Sequence, residues 1–382
     1  MIYFDNAATT KLNDEVLKEM MPYLTNMYGN ASAIYELGRE SRKAVEDARE
    51  KVAKVLNCEV GEVYFTSCGS ESDNTAIKGI ARANKEKGNH IITSKIEHPA
   101  VIETCEQLKK EGFEITYIGV DEKGVVDLEE IKRAIKPTTI LISIMFANNE
   151  IGTVEPIKEI GKIAKEHEIV FHTDAVQAAG NVKIDVKDMN IDSLSLSGHK
   201  FYGPKGVGVL YVKKGIDFQN FINGGHQEKN KRAGTENVAG IVGIGKAIEL
   251  AYQNLDEHNK EITELRDYFI NQIITKIPNV KINGDMVNRL PGNANISFEG
   301  VDAEGLLLNL DLKKICASSG SACSAGSLEP SRVLLAIGLE KEIAKSSLRV
   351  TIGKYNTKKE VDYLIESLEE IVARLRMINA WG

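Results

Sequence analysis

A lysine stands just after an apolar segment, at a position where a charged amine is costly to bury. The stretch SLSGHKFYGPKG covers residues 195–206, and Lys200 follows the apolar run 191–196. Removal of an ammonium group from water is unfavourable, so such a lysine either extends to solvent or has a chemical role. A lysine amine can form a Schiff base with an aldehyde, which makes Lys200 a candidate covalent ligand.

Polar side chains also follow the other apolar segments that we predict to be strands. Ligands of parallel α/β sheets bind outside the carboxyl ends of the strands, so we expect these side chains to share one site. One polar strand end is common in proteins, whereas five together indicate a binding site. The candidate residues, in chain order, are Gly69, Ser70, His98, Asn149, Asp174, Gln177, Ser197, His199 and Lys200.

The chemical types of these residues favour pyridoxal phosphate (PLP) as the ligand. Gly69 and Ser70 open a predicted helix, whose free N–H groups and dipole suit a phosphate, although most Gly-Ser turns only cap a helix. Asp174 ends a buried strand and needs a cation or a protonated ring nitrogen as its partner, unless it forms a structural ion pair. Lys200 would bind the aldehyde, and Asp174 would keep the ring an electron sink.

A cysteine in a segment of small residues indicates which reaction the site performs. The stretch ASSGSACSAGSLEPS covers residues 317–331, and its composition predicts a flexible segment with an exposed thiol at Cys323. We interpret Cys323 as a nucleophile, whereas Cys316 follows Ile315 and is expected to be a buried structural cysteine. Arg349, in a strand predicted further on, could form an ion pair or bind a substrate carboxylate with two hydrogen bonds.

The elements that must position these residues alternate between strand and helix. Seven apolar strands are predicted between residues 63 and 212, with amphipathic helices between most of them, which is typical of a mainly parallel sheet covered on both faces. The last two strands are joined by a short turn and are expected to pair antiparallel. A helical segment over 238–276 precedes shorter strands and helices, which predict a second, α+β domain. We predict a large PLP-binding domain over 15–256 and a small domain over 1–14 and 257–382.

Composition and charge narrow the class of protein. The chain has 382 residues, 42% of them hydrophobic and 27% charged, which is ordinary for a globular protein with more than one core. Its net charge of −7 argues against nucleic acid as a ligand. The sequence shows no membrane-spanning run and no signal-peptide pattern, so we expect a cytoplasmic protein. No metal site or disulfide framework is expected from the spacing of the five cysteines, Cys58, Cys68, Cys105, Cys316 and Cys323.

Taken together, these stretches resemble the NifS/IscS-type cysteine desulfurases of the class V aminotransferase family. The resemblance covers essentially the whole chain, and the combination of motifs is specific although no single motif is. The matching stretches are YFDNAATT (3–10), FTSCGSESDN (65–74), EHPAV (97–101), ANNEIGT (147–153), HTDAVQAAG (172–180), SGHKFYGPKGVG (197–208), RAGTEN (232–237) and SSGSACSAGSLEPS (318–331). The resemblance implies a PLP-dependent transferase of fold type I that converts L-cysteine to L-alanine.

The resemblance also implies a role for each candidate residue. Lys200, His98 and Cys323 would be catalytic, and the sulfur would be carried as a persulfide on Cys323. Asn149 and Arg349 would bind the substrate carboxylate. The cofactor would be held by Gly69, Ser70, His98, Asn149, Asp174, Gln177, Ser197, His199, Lys200 and, from the neighbouring subunit of a homodimer, Thr235. The expected sulfur acceptor is a protein such as an iron–sulfur scaffold, or an enzyme that thiolates tRNA or a cofactor.

Two features depart from the family pattern. Residues 29–38 read GNASAIYELG, one residue shorter than usual, without the family's proline and with Tyr35 near the position of its histidine. This difference predicts a changed entrance to the site or a changed partner contact. Cys68 replaces a usual glycine beside the phosphate cradle, where it is either a simple replacement by a small residue or a second thiol near the cofactor.

Other functions stay open at this point. An aminotransferase of the same family would not need Cys323, and a selenocysteine lyase would turn over cysteine poorly. A non-catalytic sulfur-carrier scaffold would not need Lys200 or Asp174. Metal binding by Cys58, Cys68 and Cys105 is disfavoured by their scattered positions.

Overall fold

The computed structural model describes residues 1–320 and 330–379, which form alternating strands and helices. The strands are β1 (Ile2–Tyr3), β2 (Val63–Thr66), β3 (His90–Ser94), β4 (Glu114–Ile118), β5 (Thr139–Ser143), β6 (Val170–Asp174), β7 (Ser193–Ser197), β8 (Gly208–Val212), β9 (Val280–Asn283), β10 (Asn293–Phe298), β11 (Ile315–Cys316) and β12 (Ser347–Thr351). The helices are α1 (Asp14–Thr25), α2 (Glu36–Leu56), α3 (Gly69–Ala83), α4 (Pro99–Lys110), α5 (Leu128–Ala134), α6 (Ile157–Glu166), α7 (Gln227–Asn230), α8 (Val238–Gln253), α9 (Leu255–Lys276), α10 (Ala303–Leu312), α11 (Arg332–Ala336), α12 (Lys341–Lys345) and α13 (Lys358–Asn379).

Seven strands form a central sheet in the order β2-β8-β7-β6-β5-β3-β4. Neighbouring strands from β4 to β7 are parallel, whereas β8 is antiparallel to both β7 and β2. The predicted fold class, with its mainly parallel sheet, is therefore confirmed. The antiparallel pairing of β8 follows from the short connection after β7, which leaves no length for a crossover helix.

Helices cover both faces of this sheet, so that successive residues of one strand enter different cores. Ile92 packs in a core that contains residues of α2, α6 and α8, whereas its neighbour Ile91 packs in a second core with residues of α3 and α4. The strands β3, β5 and β7 are buried along their whole length, as expected of a sheet covered on both sides. With both faces covered, the polar strand ends are the part of the sheet that a ligand can approach.

A second, antiparallel sheet has the strand order β12-β10-β9 and a core of its own with α9, α10 and α13. The N-terminal arm joins this region, because β1 pairs in parallel with β11 and Phe4 is buried in the same core. Strand β9 is missing from the sequence prediction, because four alternating residues are too short a run to identify a strand with certainty. The domain boundaries given above stay a prediction.

The helical segment predicted over 238–276 is two helices and not one. The backbone of Asn254 departs from helical geometry, with φ −132° and ψ 40°, and separates α8 from α9. Asparagine competes for local backbone hydrogen bonds and is poorly suited to a helix interior, so the prediction of a continuous segment was wrong at this residue. Among the described helices, none has the length and apolar composition that a bilayer crossing requires.

Candidate active site

A cavity of about 280 Å³ lies at the carboxyl ends of the parallel strands. It receives side chains from the residues that follow β2, β3, β5, β6 and β7, and one arginine from β12 of the second sheet. Every predicted site residue that the structure describes lines this cavity, with the exception of Thr235. The lining residues are Ala7, Ala8, Cys68, Gly69, Ser70, Asp73, His98, Met145, Ala147, Asn149, Asp174, Val176, Gln177, Ser197, His199, Lys200 and Arg349.

Lys200 enters the cavity from a single 3₁₀ turn, Gly198–Lys200, that directly follows β7. Its ammonium Nζ donates to the carbonyl oxygens of Ala7, at 2.5 Å, and Ala8, at 2.9 Å. The side-chain amide of Gln177 donates to the same Ala7 oxygen at 2.9 Å. The N-terminal arm therefore supplies the acceptors that fix the direction of the lysine amine.

Asp174 is the last residue of β6 and is buried at the floor of the cavity. Its Oδ1 accepts the Val176 N–H at 2.9 Å. Burial raises the pKa of this carboxyl, while the nearby His98 and Lys200 oppose that rise. A carboxylate in such a place is stabilised by a cationic partner, and the cavity is where a partner can sit.

A second buried carboxyl, Asp73, lies beside Asp174 and was not singled out from the sequence. It projects from α3 one turn after Gly69, and its Oδ1 lies 3.8 Å from His172 Nε2 with no hydrogen-bond partner among the described residues. Burial, and next the charge of Asp174, raise the pKa of Asp73 well above its ordinary value. The four-residue spacing from Gly69 is the signal in the sequence, because it places both residues on one helix face.

Asp73, His98 and Asp174 bring one ligand atom each to within 4.8 Å of one another. All three residues line the cavity, and the nearby Asp174 raises the pKa of Asp73, whereas His98 lowers the pKa of Asp174. The expectation that this protein holds no metal stays a prediction.

His98 is the N-cap of α4, and its Nδ1 accepts the Ala100 N–H at 3.1 Å. This hydrogen bond places the proton of the neutral ring on Nε2. Burial lowers the pKa of His98, the charge of Asp174 opposes that effect and the charge of Lys200 adds to it, so the neutral ring is favoured near pH 7. His98 thus offers an N–H donor to the cavity.

The start of α3 forms a cradle for an anion. Gly69 is its first residue, and the N–H groups of a first turn have no acceptor within the helix. A Cβ on Gly69 would lie 2.6 Å from Val176 Cγ2, so the close approach of these two segments requires glycine. On the other side, His199 Nδ1 lies 3.1 Å from Thr9 Oγ1, and burial lowers the pKa of His199 to about 4.

Arg349 reaches the cavity from the middle of β12 and is almost completely buried. Its Nη2 donates to Asp5 Oδ1 at 2.9 Å, and its Nη1 donates to the Asn149 carbonyl at 3.0 Å. Its Nε has no hydrogen-bond partner among the described residues. The arginine is therefore held in place by an ion pair and a backbone contact, while its remaining N–H groups are left for a ligand.

The remaining residues that the sequence singled out differ in their placement. Thr235 is exposed and does not line the cavity of its own chain. Cys323 lies outside the described residues. Cys316 is partly exposed, in contrast to the buried cysteine expected at that position, because it ends the two-residue strand β11. Cys68 is a partly exposed lining residue, and Tyr35 is exposed at the N-cap of α2.

These residues fit PLP on the evidence of their own geometry. The cavity joins a primary amine at Lys200, a buried carboxylate at Asp174 and an anion cradle that an extra Cβ at Gly69 would fill. This set matches the aldehyde, the ring nitrogen and the phosphate of the cofactor. The fold and the site together define a PLP-dependent enzyme of fold type I.

Comparison with known proteins identifies the family. Residues 2–364 match the family Aminotransferase class-V. A cysteine desulfurase IscS from Clostridium botulinum is 58% identical over 380 residues, which cover 99% of this chain and 96% of the relative, and one from Methanosarcina thermophila is 55% identical over 378 residues, covering 99% and 93%. The chain belongs to the class-V aminotransferases and, within them, to the NifS/IscS-type cysteine desulfurases.

Solved structures agree with this assignment. A NifS-like protein superposes with a TM-score of 0.92 at 38% identity, over 98% of this chain and 99% of the other. A structure described as SspA in complex with cysteine has a TM-score of 0.82 at 39% identity, over 94% of this chain and 100% of the other. Cysteine is thus bound by a relative that shares this fold.

Proposed function

We propose that the protein is a PLP-dependent cysteine desulfurase that converts L-cysteine to L-alanine and passes the sulfur on as a persulfide. The observation that carries this proposal is the cavity in which Lys200, Asp174 and Arg349 meet. An amine and a buried carboxylate suit the cofactor, and a buried arginine suits the carboxylate of an amino acid. When bound, PLP supplies an aldehyde and an electron sink for negative charge at the substrate Cα.

The chain's own residues bind and orient that cofactor. Asp174 would accept a hydrogen bond from the protonated ring nitrogen, whose positive charge would offset the unfavourable burial of the carboxylate. Gln177 would bond the ring hydroxyl, and His98 would lie against the ring. The phosphate is held by Gly69, Ser70, Ser197 and His199, together with Thr235 of the neighbouring subunit.

Arg349 and Asn149 hold the substrate by its carboxylate. The guanidinium is oriented by Asp5 and by the Asn149 carbonyl, so little of its conformational freedom is lost when a ligand binds. With the carboxylate fixed, Lys200 Nζ takes the proton from the substrate Cα. The neutral His98 assists transfer of the substrate's thiol proton, and its Nδ1 is the ring nitrogen that takes part in the helix cap.

Cys323 is the proposed sulfur-accepting nucleophile. Its thiolate attacks the sulfur of the substrate, a sulfur–sulfur bond forms, and the carbon–sulfur bond of cysteine breaks. The electron pair of that bond stays on the substrate Cβ, which takes up one proton to become the methyl group of alanine, and Cα regains the proton that Lys200 removed. An unperturbed thiol has a pKa of about 8.5, so only a small fraction is thiolate near neutral pH and assistance from a nearby base or positive charge is needed.

We further propose that the active form is a homodimer. Large apolar side chains are exposed along residues 17–35, including Leu24, Tyr28 and Ile34. Such a concentration of exposed apolar surface is typical of a protein–protein interface. A second copy would also bring its exposed Thr235 toward a phosphate that Thr235 does not approach in its own chain.

The sulfur acceptor is proposed to be a protein such as an iron–sulfur scaffold, or an enzyme that thiolates tRNA or a cofactor. A persulfide on Cys323 must be attacked by a second thiol or delivered to such a partner to complete turnover. The cytoplasmic location expected from the sequence stays a prediction.

The test is to supply L-cysteine with a thiol reductant and to measure alanine and sulfide in equal amounts. Cys323→Ala is expected to abolish both products while the cysteine-dependent change in the cofactor's absorbance persists, and Cys316→Ala serves as the matched control. Borohydride treatment followed by peptide mapping should place the cofactor on Lys200. Full activity of Cys323→Ala contradicts the assigned nucleophile, alanine formed only from selenocysteine indicates a lyase, and absence of turnover indicates a sulfur-carrier scaffold.

A further inference from the structure

Glu150 is a buried carboxyl that the proposed reaction does not use. It follows Asn149 directly, after the end of β5, and only 6% of its surface is exposed. Its N–H donates to Asn148 Oδ1 at 2.8 Å, and its carbonyl oxygen accepts the side-chain amides of Asn293 and Asn295, both at 3.2 Å. Its backbone is thereby tied both to the central sheet and to β10 of the second sheet.

The side chain of Glu150 lies against one residue on each side of the segment 321–329, namely Gly320 and Ser331. Ser331 Oγ donates to Glu150 Oε2 at 2.5 Å. A Cβ on Gly320 would lie 2.9 Å from that same oxygen and 3.0 Å from Ser331 Cβ. Gly320 and Ser331 therefore lie side by side at one carboxylate, and the approach at Gly320 leaves no room for a side chain.

The residues around this carboxylate connect it to the proposed substrate site. Ser318 and Arg349 exchange backbone hydrogen bonds, with Ser318 N to Arg349 O at 3.2 Å and the reverse at 2.6 Å. Arg332 Nη2 donates at 3.2 Å to the carbonyl oxygen of Glu97, the residue before His98. Ser318, before the segment, is thus linked to Arg349, which is proposed to bind substrate. Arg332, after the segment, is linked to the residue that precedes His98.

Charge favours the same arrangement. Burial raises the pKa of Glu150, and the hydrogen bond from Ser331 and the positive charges of Arg349 and Arg332 oppose that rise. A buried carboxylate that accepts a hydrogen bond from a hydroxyl group and interacts with two positive charges is stabilised only while these partners stay in place.

We propose that Glu150 is a positioning residue that holds the two ends of the Cys323-bearing segment together beside the bound substrate carboxylate. This inference rests on the proposed function, because Cys323 has its role only in that reaction. Gly320 precedes Cys323 by three residues, so its position sets the start of the chain that carries the thiol. Glu150 touches neither cofactor nor reacting atoms, and its effect falls on sulfur transfer and not on substrate binding.

Substitutions of Ser331 separate this role from helix capping. Ser331 Oγ also accepts the Leu334 N–H at 3.2 Å as N-cap of α11. Asparagine and aspartate both replace serine well as an N-cap. Only asparagine has an N–H that can be donated to Glu150, whereas aspartate places a second carboxylate against it.

The experiment uses PLP-loaded, full-length protein and compares Ser331→Asp with Ser331→Asn. Ser331→Asp is expected to lower kcat for alanine formation about 10-fold to 100-fold, the loss that corresponds to one hydrogen bond to a charged group. The KM for cysteine and the cysteine-dependent change in absorbance should stay unchanged, and single-turnover mass spectrometry should show less persulfide on Cys323. The kcat of Ser331→Asn should stay within about threefold of the wild-type value, because asparagine can both cap the helix and donate to Glu150.

Ser346→Ala is the control for loss of a buried hydroxyl, because its Oγ donates only to the nearby Ile343 carbonyl among the described residues, at 2.8 Å. Gly320→Ala provides a second route to the same effect if Ser331→Asp does not fold. The role of Glu150 is overturned if Ser331→Asp and Ser331→Asn have equal kcat values. It is also overturned if Ser331→Asp loses affinity for both the cofactor and cysteine. A wild-type protein that forms no alanine, or a fully active Cys323→Ala variant, overturns the proposed function instead.

Discussion

Arg349 donates from Nη2 to Asp5 Oδ1 at 2.9 Å, although the two residues lie 344 positions apart in the chain. This ion pair brings the N-terminal arm and β12 to the same edge of the cavity. The arm also supplies the Ala7 and Ala8 carbonyls that accept Lys200 Nζ. The site is therefore closed by segments from both ends of the chain, and its geometry depends on how they pack together.

Arg349→Lys should weaken cysteine binding while leaving the cofactor bound. Lysine keeps the positive charge but lacks the planar fork that contacts Asp5, the Asn149 carbonyl and a ligand at the same time. We expect the KM for cysteine to rise about 10-fold to 100-fold, as for the loss of one charge-assisted hydrogen bond. Steady-state kinetics and the PLP content of the purified variant are the measurements.

Arg266→Lys is the matched control for that variant. Arg266 is also buried, donates to Asp267 at 2.7 Å and to the Leu290 carbonyl at 3.2 Å, and does not line the cavity. If both substitutions leave the KM unchanged, or both raise it equally, Arg349 is a structural ion pair only.

Gly69→Ala should reduce the affinity for PLP. The added Cβ would lie 2.6 Å from Val176 Cγ2, so the start of α3 must move away from the anion that it cradles. Because the clash is with a side-chain atom, Gly69→Ala combined with Val176→Ala should recover much of the loss. PLP retained after extensive dialysis measures the effect, and Gly61→Ala, with no atom within 4 Å of the new Cβ, is the control. Tight PLP binding by the single variant contradicts the cradle.

Most residues of this site could be predicted from the sequence, because the carboxyl ends of parallel strands lie at the same edge of a sheet. Asp174 and Lys200 follow neighbouring strands, and this proximity needs no knowledge of side-chain packing. The contacts of Lys200 with Ala7 and Ala8 were beyond such reasoning, since they depend on where the N-terminal arm docks. Asp73 was missed because a polar residue inside a predicted helix is normally assigned to the solvent-exposed face. Its true position follows only when the helix is known to border a polar cavity.

Asp73→Asn should be tolerated far better than Asp174→Asn. The pKa of Asp73 is raised well above its ordinary value by burial and by the charge of Asp174, which favours the neutral form, and an amide of similar shape can replace that form. Asp174, in contrast, is proposed to be the ionised partner of the ring nitrogen. A pH titration of the bound cofactor's absorbance should be unchanged by Asp73→Asn and clearly shifted by Asp174→Asn. A large shift in both variants shows that Asp73 is ionised as well.

Glu155 should make the protein less stable as the pH rises from about 5 to about 8. Burial raises its pKa to about 8 from an ordinary 4.5, Oε2 accepts the Val126 N–H at 3.0 Å, and Oε1 has no partner among the described residues. Below pH 4.5 the group is protonated whether the chain is folded or not. Between pH 4.5 and about pH 8, Glu155 loses its proton in the unfolded chain and keeps it in the folded chain. The free energy of unfolding therefore falls as the pH rises, until Glu155 also ionises in the folded protein.

Glu155→Gln removes this dependence, because an amide does not titrate. The difference in Tm between the variant and wild type should therefore move in favour of the variant as the pH rises from about 5, and level off above about 8. The unpaired amide lowers Tm by an amount that does not vary with pH. The test is therefore how the Tm difference between variant and wild type changes with pH, and not the size of that difference at one pH. Glu97, whose pKa is also raised to about 8 by burial, is present in both proteins. Its charge adds to the rise in the pKa of Glu155, so this repulsion is part of the pH dependence that the substitution removes. Glu122→Gln, at an exposed position, should show no such slope, and parallel Tm curves for Glu155→Gln and wild type would mean that Glu155 is already ionised in the folded protein.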